Sequence, residues 1–169
     1  MYVLFLDFDG VLITWRSHAA RSNWDLNTSC PDVTIGKFLE KLFHYSTHIP
    51  LKLVISSSWR FNEVDCKDVL EQFNLIQYLH PDWRTTVYGN NLSNEEVVVA
   101  LDRGGEIQEW LNRHTEVKEY KILDDYPLTM FPEKQHRNLI HCDGVDGLGG
   151  RDMRRLVNWI IPANKLGIW

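Results

Sequence analysis

Four carboxylates, a run of serines and one arginine stand where they could do chemistry together. Asp7 and Asp9 flank Phe8 at the end of an apolar run, VLFLDFDG; Ser56, Ser57 and Ser58 follow a second run, LKLVI; Asp124 and Asp125 close a third, YKIL. On an extended chain residues two apart point to one side, so Asp7 and Asp9 face together while Phe8 turns toward a core. A single strand ending in Asp-x-Asp-Gly is ordinary turn chemistry. A calcium loop is excluded, because the further oxygen ligands and the glycine of an EF-hand are absent from their positions after Asp7. What sets the pattern apart is its recurrence: three apolar runs end in polar residues. Four carboxylates gathered in one low-dielectric crevice repel each other. A hard divalent cation relieves that repulsion, and ligands that are all oxygen suit magnesium.

The elements that must position these groups are legible from periodicity. Val3 to Leu6 reads as a buried strand. Asp32 is placed to cap a helix through VTIGKFLEKLFHYS, with Ile35, Phe38, Leu39 and Leu42 on its apolar face. LKLVI is a second strand, and EVDCKDVLEQF a helix with Val64, Val69, Leu70 and Phe73 inward. The stretch from Leu79 to Asn94 is turn-rich, with one short strand expected near Thr86 and Val87. GEIQEWLNRH is an amphipathic helix with Ile107, Trp110 and Leu111 inward; YKIL and NLIHC are strands; GRDMRRLVNWII is a closing helix with Trp159 on its apolar side. Strands alternating with helices at this spacing predict an α/β fold: a three-layer, Rossmann-like domain with a mainly parallel sheet. In such a sheet ligands bind outside the carboxyl ends of the strands, where the acids and serines fall. Residues 13–33 show no clean period and are expected to form a loop or flap. No segment is long enough for a large cap domain, and a single domain over 1–169 is expected.

The chain has 169 residues, 44% hydrophobic and 24% charged, with a formal net charge of -5. That balance argues against broad, non-specific nucleic-acid binding, which needs a basic face. Three widely spaced cysteines suggest neither a disulfide framework nor a CxxC zinc site. The apolar start is too short to span a membrane and lacks a basic leader, so a cytosolic (cytoplasmic) location and no membrane partner are expected. The seven histidines show no HExxH or other ligand spacing. His141 reads as sheet interior, Lys118 and Lys121 as surface charges, and DGVDGLGGR as a loop before the last helix.

Taken together the motifs resemble the haloacid dehalogenase (HAD) superfamily of aspartate-nucleophile phosphohydrolases. LFLDFDGVL is similar to its first motif, LVISSSWR to its second, DRGGEIQEWL to its third and KILDDY to its fourth, in the right order. The combination resembles a group of small HAD-like proteins of bacteria and phages. The resemblance implies a magnesium-dependent phosphatase in which Asp7 is the nucleophile, forming an aspartyl-phosphate, and Asp9 the general acid and then base. It implies Ser56, or one position on, Ser57, as phosphate ligand, and a magnesium site built from Asp7, the Asp9 main-chain carbonyl and Asp125, with Asp124 as ligand or outer-shell partner. Arg103, 21 positions before Asp124, is the candidate for the charge that holds the transferring phosphoryl group, with Arg60 as its competitor.

The expected substrate is a phosphorylated small molecule. Three other readings follow from the same fold: a polynucleotide end-repair (3′-phosphatase) or nucleotide phosphatase, a phosphotransferase or phosphonatase, and a non-catalytic binding module. The first draws on TWRSHAARSNW, which sets Trp15, Arg16, His18, Arg21 and Trp24 beside Asp7. Aromatic rings there could stack on bases while arginines meet phosphates.

Overall fold

A computed structural model describes residues 1–20, 30–86, 88–90 and 98–160. Its sheet contains β1 (Tyr2–Leu6), β2 (Leu51–Ile55), β3 (Leu79–Arg84), β6 (Glu119–Asp124) and β7 (Leu139–His141), in the order β3-β2-β1-β6-β7. Every pairing in it is parallel. The order reverses at β1, so the crevice between the carboxyl ends of β1 and β6 is the topological switch point. This is the expected three-layer, Rossmann-like α/β arrangement.

Alternation along β1 explains the layers. Leu4 and Leu6 point to one face, where they meet Ile35 and Leu39 of α2 (Val33–Tyr45), Val69 and Leu70 of α3 (Glu63–Glu71) and Leu156 and Ile160 of α6 (Gly150–Ile160). Val3 and Phe5 point to the other, against Ile107 and Trp110 of α4 (Arg103–Arg113). Asp32 caps α2 as expected, its Oδ1 accepting from the Thr34 and Ile35 amides at 2.9 and 3.1 Å. The short α5 (Glu133–His136) precedes β7. Two short strands, β4 (Tyr88–Asn90) and β5 (Val98–Ala100), pair antiparallel outside the main sheet. No cap domain is present among the described residues.

Several sequence expectations are corrected. The stretch from Leu79 holds two strands rather than one: β4 at Tyr88–Asn90 falls beside the expected position, β3 at Leu79–Arg84 was not expected, and Val87 lies outside the described residues. Pro81 hid β3, yet the strand lies at the sheet edge and its pairing with β2 is irregular, which is where proline is tolerated. Val64 is exposed, and Cys66 takes its place in the core. His141 is exposed rather than interior, and Lys121 is half-buried. Trp110 is fully buried, while Trp159 stacks on Tyr2 at the core's margin. Residues 13–33 are not one irregular flap: Ile13 is core, and α1 (Trp15–Ala19) is a short helix with a capping box at Thr14. Residues 21–29 lie outside the described residues. The cysteines form no disulfide, and all three are buried. Among the described residues no helix is long and apolar enough to cross a membrane.

Candidate active site

Asp7 continues the β1–β6 pairing one residue beyond the strand, its amide donating to the Leu123 carbonyl at 2.9 Å. Its carboxylate is buried, and Oδ1 accepts the Phe8 amide at 2.9 Å. Asp124, the last residue of β6, is fully buried; Oδ1 accepts the Tyr126 amide at 2.9 Å, while Oδ2 has no hydrogen-bond partner. Asp125 packs against Gly10 and Gly144. A Cβ at Gly10 would overlap the Asp125 carboxylate, and its φ of +69° is one that other residues rarely adopt. The glycine of the opening motif thus leaves room for an acid from the fourth. Carboxylate oxygens of Asp7, Asp124 and Asp125 all lie within 4.8 Å of one another.

One cation faces this cluster. Arg103 opens α4, held there by Asp102, which caps the helix through the Gly105 amide at 2.7 Å, and by Gln135, whose Nε2 donates to the Gly104 carbonyl at 2.9 Å. Its Nε is 3.2 Å from Asp124 Oδ2 and its Nη2 3.8 Å from Asp7 Oδ2. The guanidinium lies 5.0 Å from the centre of the Tyr126 ring. Despite these charges, Nε and Nη1 make no hydrogen bond; neither does the buried Ser56 Oγ at the end of β2. Buried donors that make no hydrogen bond at one sheet edge are the equipment of an anion site.

Arg60 is a different object. Its Nη1 donates to the Ser56 and Ser57 carbonyls, both at 2.7 Å, its Nε to the Thr85 carbonyl at 3.0 Å, and its Nη2 to Glu106 at 2.8 Å. It fixes the serine loop from behind. Glu106 in turn lies 3.8 Å from Arg103, so one carboxylate steadies both arginines.

The electrostatics follow from burial. Burial raises the Asp7 carboxyl above the usual carboxylate range, against the pull of Arg103. Asp124 is pushed up to about 7, first by burial and then by the charge of Asp7, with Arg103 opposing. Asp125 is raised as well, again chiefly by burial. Three buried or half-buried acids, each raised by its surroundings, fit a hard divalent cation: Asp124 Oδ2 is buried without a hydrogen bond, and the donor set is all oxygen.

A profile described as the HAD domain in Swiss Army Knife RNA repair proteins matches residues 3–153. The chain belongs to this HAD family. Searches among curated proteins and solved structures give no match.

In this HAD domain the sheet edge brings together Asp7, Arg103, Asp124 and Asp125, with Ser56 and Ser57 on the neighbouring strand end. Ser57 caps the short turn at Ser58–Phe61 and reaches the Asp7 carboxylate. Asp9 is on the same loop but exposed, and its carboxylate is outside the three-acid cluster. Its Oδ2 instead accepts Trp59 Nε1 at 2.9 Å. Trp59 directly follows the serines in sequence, a position from which it is expected to frame the site, and it does so through this contact. Glu106 escaped the sequence reading; its spacing of three from Arg103 on a helix was the available signal. The proposed flap residues divide. Arg16 is committed to Asp32 at 2.8 Å and Asp146 at 3.2 Å, tying α1 to the α2 cap and the loop before α6. Trp15 and His18 are exposed, whereas Arg21 and Trp24 lie outside the described residues.

Proposed function

We propose that this HAD domain is a magnesium-dependent phosphomonoester hydrolase acting through an aspartyl-phosphate on Asp7. The observation that carries the reading is Arg103: a buried guanidinium whose Nε and Nη1 make no hydrogen bond, with Nη2 3.8 Å from a buried strand-end aspartate. The Asp7 carboxylate oxygen forms a bond to phosphorus as the bond to the leaving oxygen breaks. Asp9, held by Trp59, gives that oxygen a proton. Asp9 then takes a proton from water, which attacks phosphorus and releases inorganic phosphate, restoring the Asp7 carboxylate. Ser56 Oγ and Arg103 hold the non-bridging oxygens. Asp7, Asp124, Asp125 and the Asp9 carbonyl would hold magnesium, which when bound supplies positive charge against the phosphoryl oxygens.

Asp7→Asn keeps the shape and removes the nucleophile. Turnover of an aryl phosphate should vanish while the protein stays folded, and labelled phosphate should be trapped on Asp7 in the native protein. Normal turnover in the variant, or label trapped on a serine, overturns the reading.

A phosphorylated RNA end is the substrate reading favoured by the family's occurrence in RNA repair proteins. The absence of a cap among the described residues and the exposed ring of Trp15 on α1 also support it, since a strand end needs an open approach and a stacking surface. The deciding comparison is kcat/KM for a 3′-phosphorylated oligonucleotide, a mononucleotide and a sugar phosphate. A sugar phosphate turned over as well as the oligonucleotide rejects the RNA-end reading and leaves the phosphatase reading standing.

A further inference from the structure

At the far end of α4 from Arg103, two histidines distant in sequence meet. His80 is the second residue of β3, and His114 ends α4. Their rings stand perpendicular with centroids 4.8 Å apart. His114 stacks on Trp110 at 3.7 Å, and His80 meets the same indole edge-on at 5.0 Å. Both imidazoles are shielded, with side chains 11% and 13% exposed, whereas Glu116 stands at the rim at 54%. One ligand atom from each of His80, His114 and Glu116 lies within 4.8 Å of the other two. Asp82 Oδ2 is 3.5 Å from His114 Nε2, although Arg113 also claims it at 2.6 Å.

We propose that His80, His114 and Glu116 form a second metal site, for a transition-metal ion of the zinc class, separate from the acidic cluster. Two imidazoles and one carboxylate are donors that suit zinc and its neighbours rather than magnesium, and such a set leaves a coordination position open to solvent.

The orientation of His114 points independently to a ligand. Its Nδ1 lies 2.7 Å from the Trp110 carbonyl, so Nδ1 carries the proton and donates. The Nε2 lone pair is thereby left free to bind an ion, and a ligand atom of His114 lies within 4.8 Å of those of His80 and Glu116. A ring nitrogen donating to a backbone carbonyl is how metal-binding histidines are usually oriented. His80 is less prepared. Its Nδ1 accepts the Asp82 amide at 3.0 Å, which places the neutral ring's proton on Nε2. Metal binding there shifts that proton to Nδ1, where the Asp82 carbonyl stands 3.2 Å away. Burial also holds the His80 imidazole below its ordinary value. His114 is therefore the stronger ligand and His80 the weaker. The site would join edge strand β3 to the turn between α4 and β6, bracing the helix that begins with Arg103.

The test uses tag-free protein with millimolar magnesium present to occupy the acidic cluster. Zinc affinity is read by competition with a chromogenic chelator in wild type, His80→Ala, His114→Ala and Asp125→Asn. One tight equivalent is expected in wild type and in Asp125→Asn. It should weaken at least roughly tenfold in both histidine variants, more in His114→Ala. Zinc at a hundredfold over its Kd should raise the Tm of wild type by roughly 5–10 °C. Unchanged affinity in both histidine variants, millimolar binding only, or loss confined to Asp125→Asn overturns the proposal. Should the alanine variants fail to fold, imidazole nitrogen shifts in wild type decide it: His80 and His114 must both move on zinc addition, and a response confined to other histidines overturns it.

Discussion

Removing Arg103 and removing Arg60 should do opposite things, although each arginine sits just past a strand end or at a helix start near the acids. Arg103 is 3.8 Å from Asp7. Coulomb's law at that distance and an effective dielectric of about 20 gives about 4 kcal/mol between the two charges. A phosphoryl group on Asp7 would take over much of that attraction. Loss of a comparable preorganised donor costs about 2.7–4 kcal/mol, or roughly a hundred- to a thousandfold in rate. Arg103→Ala should therefore cut kcat/KM for an aryl phosphate by that factor. It should hurt folding little: two of the guanidinium nitrogens make no hydrogen bond, and Asp124, already pushed up to about 7, can take a proton once its counter-charge is gone.

Arg60 holds three backbone carbonyls and Glu106 from a buried position. Stripping one partner from such a buried network costs about 3–5 kcal/mol, which lowers the Tm of a chain this size by roughly 6–20 °C. Arg60→Ala should be a stability variant whose surviving folded fraction still turns over. The assays are steady-state kinetics and a thermal melt on the same preparations. An Arg103→Ala protein within threefold of wild type, beside a well-folded Arg60→Ala protein that is dead, would reverse the assignment.

Three further outcomes follow from the same geometry. Excess chelator should abolish turnover and added magnesium restore it, since the three acids are not neutralised by Arg103 alone; full activity in chelator refutes the metal requirement. Asp124 binds a proton in the native chain up to about pH 7 that the unfolded chain releases near 3.8, so metal-free stability should fall as pH rises between those values. Asp124→Asn should flatten that slope, read from urea midpoints at pH 5 and 8, and a wild-type profile that is flat or rises refutes the burial argument. Trp59→Phe deletes the donor to Asp9 while keeping an aromatic ring against Phe8; a hydrogen bond to a charged group is worth about 1.5 kcal/mol or more, so kcat should drop roughly tenfold with KM little changed, and an unaltered kcat removes Trp59 from the mechanism.

The sheet was legible because its central strands are covered on both faces. VLFL and LKLVI are unbroken apolar runs, and only a buried parallel strand needs such a run. β3 was not legible, because LHPDWR is an edge strand, half-exposed and carrying a proline that a central strand could not hold. Val64 was misplaced as well. Cys66, Val69, Leu70 and Phe73 follow at helical spacing on the buried side; Val64 falls off that stripe and stays exposed, and the small thiol of Cys66 fills the inward position.

At the site, what could be read was which residue types stand at strand ends; what could not be read was how they divide the work. Asp7, Asp124 and Asp125 differ little as letters, but burial separates them: Asp124 is sealed and lies against Arg103, while Asp125 has room only because Gly10 has no side chain. Spacing favoured Arg103 over Arg60 in sequence, but it did not say what each arginine does. Their roles separate only when partners are counted, because a guanidinium whose nitrogens are committed to backbone carbonyls cannot also be spared for a phosphate. Glu106 makes that division possible. Pairing with Arg60 at 2.8 Å and with Arg103 at 3.8 Å, it takes up a nitrogen of the first in a hydrogen bond and leaves those of the second in place for charge that would develop at phosphorus.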